Sequence, residues 1–168
     1  MIFLVGMPAS GKSYWGAKIS QALQLPLADL DELIVKEERT SIAEIFEQKG
    51  ADYFREKEHA VLKHIIATYP DETIVACGGG TPIYHNNVAL MKEKGCVVYL
   101  DTDIDTLFQR LENDDTRPLV PDTDKYERLK ALFTEREAVY KQAHYILQAE
   151  NLSLPTFAKI IQQCTDLH

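Results

Sequence analysis

The segment GMPASGKS at residues 6–13 restricts the possible folds of this chain more than any other feature. Its spacing, a glycine, four residues and then Gly-Lys-Ser, is that of the phosphate-binding P-loop. The apolar run Ile2–Val5 before it is typical of a strand buried on both faces, and the segment after it has apolar residues at helical spacing. Strand, loop and helix in this order place unpaired backbone N–H groups and the positive end of a helix dipole at a phosphate. The sequence therefore predicts a nucleotide-phosphate site at residues 6–13.

Two side chains of the loop carry its chemistry. Lys12 is expected to reach the β- and γ-phosphates of the nucleotide, and the Ser13 hydroxyl is expected to bind Mg²⁺. The loop departs from the most glycine-rich versions at Ala9, where many kinases of this size have glycine, and at Pro8, which removes an N–H donor. Because neither change touches Gly11, Lys12 or Ser13, phosphate binding is still expected.

The composition limits the function classes that remain. The chain has 168 residues and a formal net charge of −8, which argues against a nucleic-acid surface, since such surfaces rely on Lys and Arg. No apolar run is long enough to span a membrane. The three cysteines, Cys77, Cys96 and Cys164, lie far apart, so we expect three packed or free thiols in a reducing cytosol. The five histidines are scattered, and we expect no protein-bound zinc site.

Two aspartates follow the first predicted helix, in the sequence Asp29-Leu30-Asp31. Residues two apart on a strand point the same way, so both carboxylates would face one site if the extended conformation persists. Alternatively the pair forms a helix N-cap, because Asp31-Glu32 precedes an apolar helical pattern. The position after a P-loop strand and helix favours the first interpretation.

Strands and helices alternate through the rest of the chain, which predicts a doubly wound parallel sheet. One of these strands, Thr73–Cys77, ends in Gly78-Gly79-Gly80. These glycines stand at the carboxyl end of a parallel strand, where ligands bind in open α/β sheets and where a missing Cβ permits close approach. The other predicted elements are strands at 96–100 and 145–149 and helices at about 32–36, 53–68, 86–94, 103–111, 126–144 and 154–164.

Two further segments carry candidate charged groups. Arg55 and Glu58 are three residues apart on a predicted helix and can pair, although the simplest interpretation is an exposed ion pair of little energetic value. Residues 112–124 are polar, contain two prolines and break all periodicity. Because Arg117 stands within this acidic loop, we expect a lid that brings one positive charge to the phosphates on closure.

In this order the segments resemble the shikimate kinase family over nearly the whole length of the chain. The P-loop is shared by many NTPases, so the resemblance depends on the ordered set. Its members are Asp29-Leu30-Asp31, residues 41–46, Phe54-Arg55 with Glu58, Gly78-Gly79-Gly80, Arg117-Pro118-Leu119, and Arg136 with Tyr140. The resemblance implies an α/β, three-layer P-loop kinase fold with a five-stranded parallel sheet in the order 2-3-1-4-5. It also implies a single domain, 1–168, with a substrate-binding segment at about 31–60 and a lid at about 112–125.

The resemblance implies an activity as well: transfer of the γ-phosphoryl group of ATP to the 3-hydroxyl of shikimate, with Mg²⁺. The family also implies a cytoplasmic monomer whose partner is a small molecule, with no nucleic acid and no membrane. It assigns catalytic roles to Lys12, Asp31 and Arg117, with Asp31 as the base. Ser13 and Asp29 would hold the metal. The substrate-binding set is Asp31, Arg55, Gly78, Gly79, Gly80 and Arg136, and the nucleotide-binding set is Gly6, Ala9, Ser10, Gly11, Lys12, Ser13, Tyr14, Arg110 and Arg117. Tyr14 stands where a threonine is common in the family.

Other P-loop proteins remain as alternatives at this point. Gluconate also carries a carboxylate, so the arginines alone do not exclude a gluconate kinase. A nucleotide kinase would need a base-recognition pocket, which residues 31–60 do not show. A GTPase-type switch would need an Asn-Lys-x-Asp motif and an Asp-x-x-Gly after the strand 73–77, and neither is present. An inactive scaffold is disfavoured because every catalytic residue type is present.

Overall fold

The computed structural model describes residues 1–112 and 123–165. Within this part, five parallel strands form one sheet in the order β2-β3-β1-β4-β5, which confirms the predicted topology. The strands are β1 (Ile2–Val5), β2 (Leu27–Asp29), β3 (Ile74–Ala76), β4 (Cys96–Asp101) and β5 (Tyr145–Gln148). The helices are α1 (Lys12–Leu23), α2 (Leu30–Glu38), α3 (Ile42–Thr68), α4 (Asn87–Lys94), α5 (Ile104–Glu112), α6 (Thr123–Tyr140) and α7 (Leu154–Thr165), with a 3-10 turn at Ala149–Asn151.

The central strand β1 is buried on both faces, as its continuous apolar sequence predicts. Phe3 and Val5 point to one face, where they pack with residues of α2 to α6. Ile2 and Leu4 point to the other face, where they pack with residues of α1 and α7. The result is three layers, and the P-loop emerges from the carboxyl end of the strand at the centre of the sheet.

Helix α3 begins at the capping box that the sequence contains. The Ser41 hydroxyl accepts a hydrogen bond from the Glu44 N–H at 3.2 Å, and the Glu44 carboxylate accepts one from the Ser41 N–H at 2.9 Å. Hydrogen bonds from Ser41 and Thr40 lower the pKa of Glu44 to about 2. Gly50 has φ 83° and ψ 172°, so α3 is two helical stretches that meet at a break at this glycine.

The cysteine expectation was wrong for two of the three residues. Cys96 at the start of β4 and Cys164 near the end of α7 form a disulfide, with their Cα atoms 5.8 Å apart. Only Cys77 is a free thiol. The two bonded residues are separated by 68 positions, so local spacing could not reveal the pair. The fold brings them together because α7 packs on the sheet face at the amino end of β4.

None of the described helices is long and apolar enough to cross a membrane.

Candidate active site

The P-loop backbone takes the shape that its glycines permit. Gly11 is the N-cap of α1 in the left-handed region, with φ 93°. At Gly6 a Cβ would lie 2.8 Å from the Leu100 carbonyl oxygen, so only glycine fits there. Ala9 also has a left-handed conformation, with φ 64°. An L-residue pays about 1–2 kcal/mol in this region, which explains why other loops of this type have glycine at the position of Ala9.

Lys12 lies folded over its own loop. Its ammonium group donates hydrogen bonds to the carbonyl oxygens of Gly6 at 3.0 Å and Met7 at 2.8 Å, and the residue is only 8% exposed. These bonds hold a buried positive charge at the centre of the loop, where the sequence places the nucleotide phosphates. Its action on the β- and γ-phosphates stays a prediction.

Ser13 and Asp29 bring two oxygen ligands together beside the loop. The Ser13 hydroxyl donates to Asp29 Oδ2 at 2.5 Å, and the other carboxylate oxygen accepts the Glu32 N–H at 3.2 Å. Mg²⁺ is commonly bound through one or two protein oxygens, with phosphates and water completing its shell. The pair fits that ion in the place where the sequence predicted it.

The backbone at Asp31 differs from the favoured expectation. The extended segment ends at Asp29, whose side chain caps α2, and Asp31 lies in the first turn of this helix. The cap explains the difference, because an aspartate N-cap satisfies a helix N–H and so favours helix over strand. Asp31 still reaches the glycine turn after β3, since its Oδ1 would lie 2.8 Å from a Cβ on Gly78.

Position 78 must be glycine because two carboxylates and a hydroxyl lie so close to its backbone that they leave no room for a Cβ. A Cβ there would lie 2.6 Å from Glu58 Oε1, 2.8 Å from Asp31 Oδ1 and 2.9 Å from Thr81 Oγ1. The sequence predicted close approach of a ligand at the glycines. In the structure the space beside Gly78 is taken by side chains of the protein itself.

The next two glycines admit groups from different parts of the chain. A Cβ on Gly79 would lie 2.9 Å from the Pro8 ring, so the P-loop and the glycine turn are in direct contact. A Cβ on Gly80 would overlap the guanidinium group of Arg55. Sequence reasoning treated Pro8 only as the loss of an N–H donor and missed this contact. Nothing in the local sequence of either segment could have indicated it.

The Arg55–Glu58 pair is not the exposed pair that the simplest interpretation suggested. Glu58 is 1% exposed, and its carboxylate accepts hydrogen bonds from the Arg55 guanidinium and from the Thr81 hydroxyl. The Tyr84 ring covers the guanidinium with its centroid 4.5 Å away. Arg55 is therefore held in one orientation by a buried carboxylate and an aromatic face.

Arg136 approaches the glycine turn from α6. It is 6% exposed, and its Nε has no hydrogen-bond partner among the described residues. A buried donor without a partner is costly, and a carboxylate ligand would satisfy it. One helical turn later, the Tyr140 hydroxyl donates to the Gly79 carbonyl oxygen at 2.6 Å.

These groups line one cleft of about 930 Å³ at the carboxyl end of the sheet, beside the P-loop. It is also lined by Tyr14, by Cys77, whose thiol pKa is raised by burial, and by Arg110, which donates to the Ala9 carbonyl oxygen at 3.0 Å. The structure thus brings Lys12, Ser13, Asp31, Arg55, Arg110, Arg136 and the three glycines to a common site. Arg117, expected on a lid, lies outside the described residues.

Comparisons with known proteins agree with this geometry. The family model for shikimate kinase matches residues 8–166. A shikimate kinase from Sulfurihydrogenibium sp. (strain YO3AOP1) is 40% identical over 149 residues, covering 89% of this chain and 87% of that protein. The shikimate kinase from Acinetobacter baumannii in complex with shikimate superposes with a TM-score of 0.84 at 30% identity, covering 96% of this chain and 90% of that one. The crystal structure of shikimate kinase from Bacteroides thetaiotaomicron gives a TM-score of 0.83 at 27% identity, covering 99% and 96% of the two chains.

Proposed function

This chain belongs to the shikimate kinase family, and we propose how its residues divide the work of that family's reaction. The protein is an ATP-dependent kinase that transfers the γ-phosphoryl group of ATP to the 3-hydroxyl of shikimate, giving shikimate 3-phosphate and ADP. One observation carries the division of roles: two arginines from different helices, Arg55 and Arg136, meet a glycine turn and a carboxylate in one cleft beside the P-loop.

The P-loop binds ATP through its backbone N–H groups at the N-terminus of α1. Lys12, already buried in the loop, supplies a positive charge to the β- and γ-phosphates. Ser13 and Asp29 would hold Mg²⁺, and the ion would supply positive charge to the phosphates. We assign the adenine to Arg110, which is hydrogen-bonded to Ala9 at the rim of the loop, and we assign Tyr14, which lines the same cleft, to the nucleotide as well.

Arg55 and Arg136 bind the carboxylate of shikimate. Their planar guanidinium forks match a carboxylate, so two of them fix both the position and the orientation of the substrate. Arg55 is pre-positioned by its bond to Glu58, and Arg136 brings a buried Nε that lacks a partner among the described residues. The two guanidinium groups make the site positive locally, so an overall charge of −8 does not prevent anion binding.

Asp31 accepts the proton of the attacking hydroxyl. Its carboxylate lies next to the backbone of Gly78, within the same cleft as Lys12. Phosphoryl transfer needs little covalent chemistry from the protein beyond one proton acceptor, and it depends mainly on positioning and on stabilisation of charge. By the family pattern alone, we assign to Arg117 the remaining positive charge that acts on the transferring phosphoryl group.

We also propose that the protein works as a single kinase domain, 1–168, and as a cytoplasmic monomer. Residues 31–60 supply Asp31, Arg55 and Glu58 to the cleft, as a substrate-binding segment would. The assignment of 112–125 as a lid rests on the sequence. A reducing cytoplasm would require the Cys96–Cys164 disulfide to resist reduction, which its burial favours.

The test is ATP turnover measured with shikimate, gluconate and a nucleoside monophosphate in parallel, in the wild type and in Asp31→Asn. Only shikimate should support turnover. Asparagine keeps the size of Asp31 but cannot take a proton, so kcat should fall by roughly 10²–10⁴ while the KM for shikimate changes less. Asp29→Asn should instead raise the Mg²⁺ concentration needed for half-maximal rate.

The matched control is Asp71→Asn, which removes an exposed carboxylate at the opposite end of the sheet and should leave both constants unchanged. Equal turnover with gluconate would contradict the substrate assignment. Restoration of Asp31→Asn by excess Mg²⁺ would show that the roles of the two aspartates are reversed.

A further inference from the structure

The Tyr140 side chain is fully buried behind the substrate cleft, and the reaction as described gives it no role. Its ring stacks on the ring of Tyr99, with the two centroids 5.2 Å apart and the planes 21° from parallel. Its hydroxyl leaves this stack and donates a hydrogen bond of 2.6 Å to the carbonyl oxygen of Gly79. A core tyrosine therefore reaches the one turn that lies against the proposed substrate.

That bond acts on a peptide that the turn itself leaves loose. The two backbone hydrogen bonds of the turn run from the Thr81 N–H to the Gly78 oxygen at 3.1 Å and from the Ile83 N–H to the Gly80 oxygen at 3.0 Å. These bonds involve the peptide groups that precede and follow the Gly79–Gly80 peptide, so neither of them holds the Gly79–Gly80 peptide itself. Glycine has the widest choice of backbone angles, so a peptide flanked by two glycines rotates easily unless something holds it.

Holding the carbonyl also sets the direction of an N–H group. The described peptide bonds are all trans, and in a trans peptide the C=O and the following N–H point in opposite directions. With the Gly79 oxygen bound to Tyr140, the Gly80 N–H is directed to the opposite side of the turn. Gly79 and Gly80 both line the cleft, so that N–H can serve as a donor to a substrate oxygen.

The same helix carries the arginine that we place on the substrate carboxylate. Arg136 and Tyr140 are one turn apart on α6, so the turn and the guanidinium are fixed relative to one rigid element. Burial raises the pKa of Tyr140 to about 12 even though the charge of Arg136 acts in the opposite direction. The hydroxyl is consequently protonated, and remains a donor, throughout the neutral range.

We propose that Tyr140 is a positioning residue for shikimate, whose hydroxyl locks the Gly79–Gly80 peptide so that the Gly80 N–H and Arg136 bind the substrate together. The proposal rests on the substrate role assigned above to the glycine turn and Arg136. It predicts that the hydroxyl affects substrate binding without affecting the nucleotide or the chemical step.

The test variant is Tyr140→Phe, which keeps the ring and its stacking on Tyr99 and removes only the hydroxyl. Loss of one hydrogen bond should raise the KM for shikimate about three- to tenfold. We expect kcat to change less than about twofold and the Kd for ATP, measured without shikimate by fluorescence of Trp15, to stay unchanged. Equal changes in the constants for ATP and shikimate would show a general structural role and overturn the proposal.

The matched control is Tyr99→Phe, because the two stacked tyrosines differ mainly in where their hydroxyls bind. The Tyr99 hydroxyl donates to Asp101 Oδ1 at 3.0 Å, away from the glycine turn. Its removal should leave the KM for shikimate within about twofold of the wild type. A rise as large as that in Tyr140→Phe would assign the effect to the aromatic stack and overturn the proposal.

A second readout does not depend on turnover. Hydrogen exchange of the Gly80 amide, followed by NMR, should be faster in Tyr140→Phe than in Tyr99→Phe, and equal rates would contradict a locked peptide. Arg136→Ala separates this proposal from the function on which it rests. If that variant raises the shikimate KM and Tyr140→Phe does not, only the positioning role fails. If neither variant changes it, the assignment of this face of the cleft to the substrate fails.

Discussion

The two ends of the β-sheet differ in what they bury. At the carboxyl end, Lys12, Glu58 and Arg136 are each less than a tenth exposed and surround a cleft of about 930 Å³. At the amino end, the sheet is joined to α7 by the Cys96–Cys164 disulfide and packed with aliphatic side chains. One end therefore collects charged groups that a ligand must satisfy, and the other end contains bonds that need no ligand.

This difference has an energetic meaning. Burying a charge costs free energy unless it is paired and hydrogen-bonded, and at the carboxyl end the Nε of Arg136 has no hydrogen-bond partner among the described residues. A disulfide that closes a long stretch of chain restricts the unfolded state and stabilises the folded one. The amino end thus compensates for a site that is costly to hold open, and the two ends should respond differently to substitution.

The largest effect is expected from Lys12→Ala at the carboxyl end. The substitution removes a buried charge that we place on the transferring phosphates, so kcat/KM should fall by at least about 10³. It also removes the hydrogen bonds that the Gly6 and Met7 carbonyl oxygens accept from Lys12, so the thermal midpoint should be recorded beside the rate.

Lys63→Ala, which removes an exposed lysine from α3, is the control and should keep the wild-type rate. Near-normal turnover in Lys12→Ala would show that the buried ammonium is part of the loop's own structure and does not act on the nucleotide.

The second effect concerns the amino end. Reduction of the Cys96–Cys164 disulfide should lower the free energy of unfolding by about 4 kcal/mol, from the length of the loop that it closes. Urea unfolding with and without dithiothreitol measures this change. The KM values for ATP and shikimate should not move, because the disulfide lies at the end of the sheet opposite the cleft.

In Cys96→Ala the reductant should have no further effect, whereas in Cys77→Ala the full effect should persist. A reductant-sensitive KM would show that the two ends are coupled and would remove the distinction between them.

The sequence predicted the carboxyl end far better than the amino end. The P-loop and the glycine triplet are contiguous motifs whose spacing reflects local backbone geometry, and alternating apolar runs suffice for the strand order once the family resemblance is recognised. The disulfide joins residues 68 positions apart, so only the folded sheet reveals it. Sequence patterns record local geometry, and contacts between distant segments leave no such record.

The differences within the site have two origins, one local and one distant. Asp31 was expected on a strand, but the Asp29 side chain caps α2, which begins at Leu30, so Asp31 lies in the first turn of the helix. An exposed Arg55–Glu58 pair was one interpretation of the sequence, which does not show that Thr81 and the glycine turn lie over Glu58. The first difference comes from a local capping bond, and the second comes from a segment far along the chain.

The smallest effect, and the sharpest test of the cost of the carboxyl end, separates two substitutions of the same residue. Arg55→Lys keeps a positive charge beside the buried Glu58 but loses the fork that we place on the substrate carboxylate. The binding free energy of shikimate should become less favourable by about 1.5–3 kcal/mol, the value of one charged hydrogen bond, and the KM should rise accordingly. The free energy of unfolding should change little. Arg55→Ala should raise the KM at least as much and also lower the free energy of unfolding by about 3 kcal/mol, because Glu58 is then buried without a cation.

The control for both is Arg128→Ala, which removes an exposed arginine from α6 and should alter neither quantity. If Arg55→Lys binds shikimate as well as the wild type, the guanidinium serves Glu58 and not the substrate. If Arg55→Ala is as stable as the wild type, the Thr81 hydroxyl alone is enough for Glu58. The buried charges at the carboxyl end would then lower the free energy of unfolding less than we infer. The stability from the disulfide at the amino end would not be needed to compensate for them.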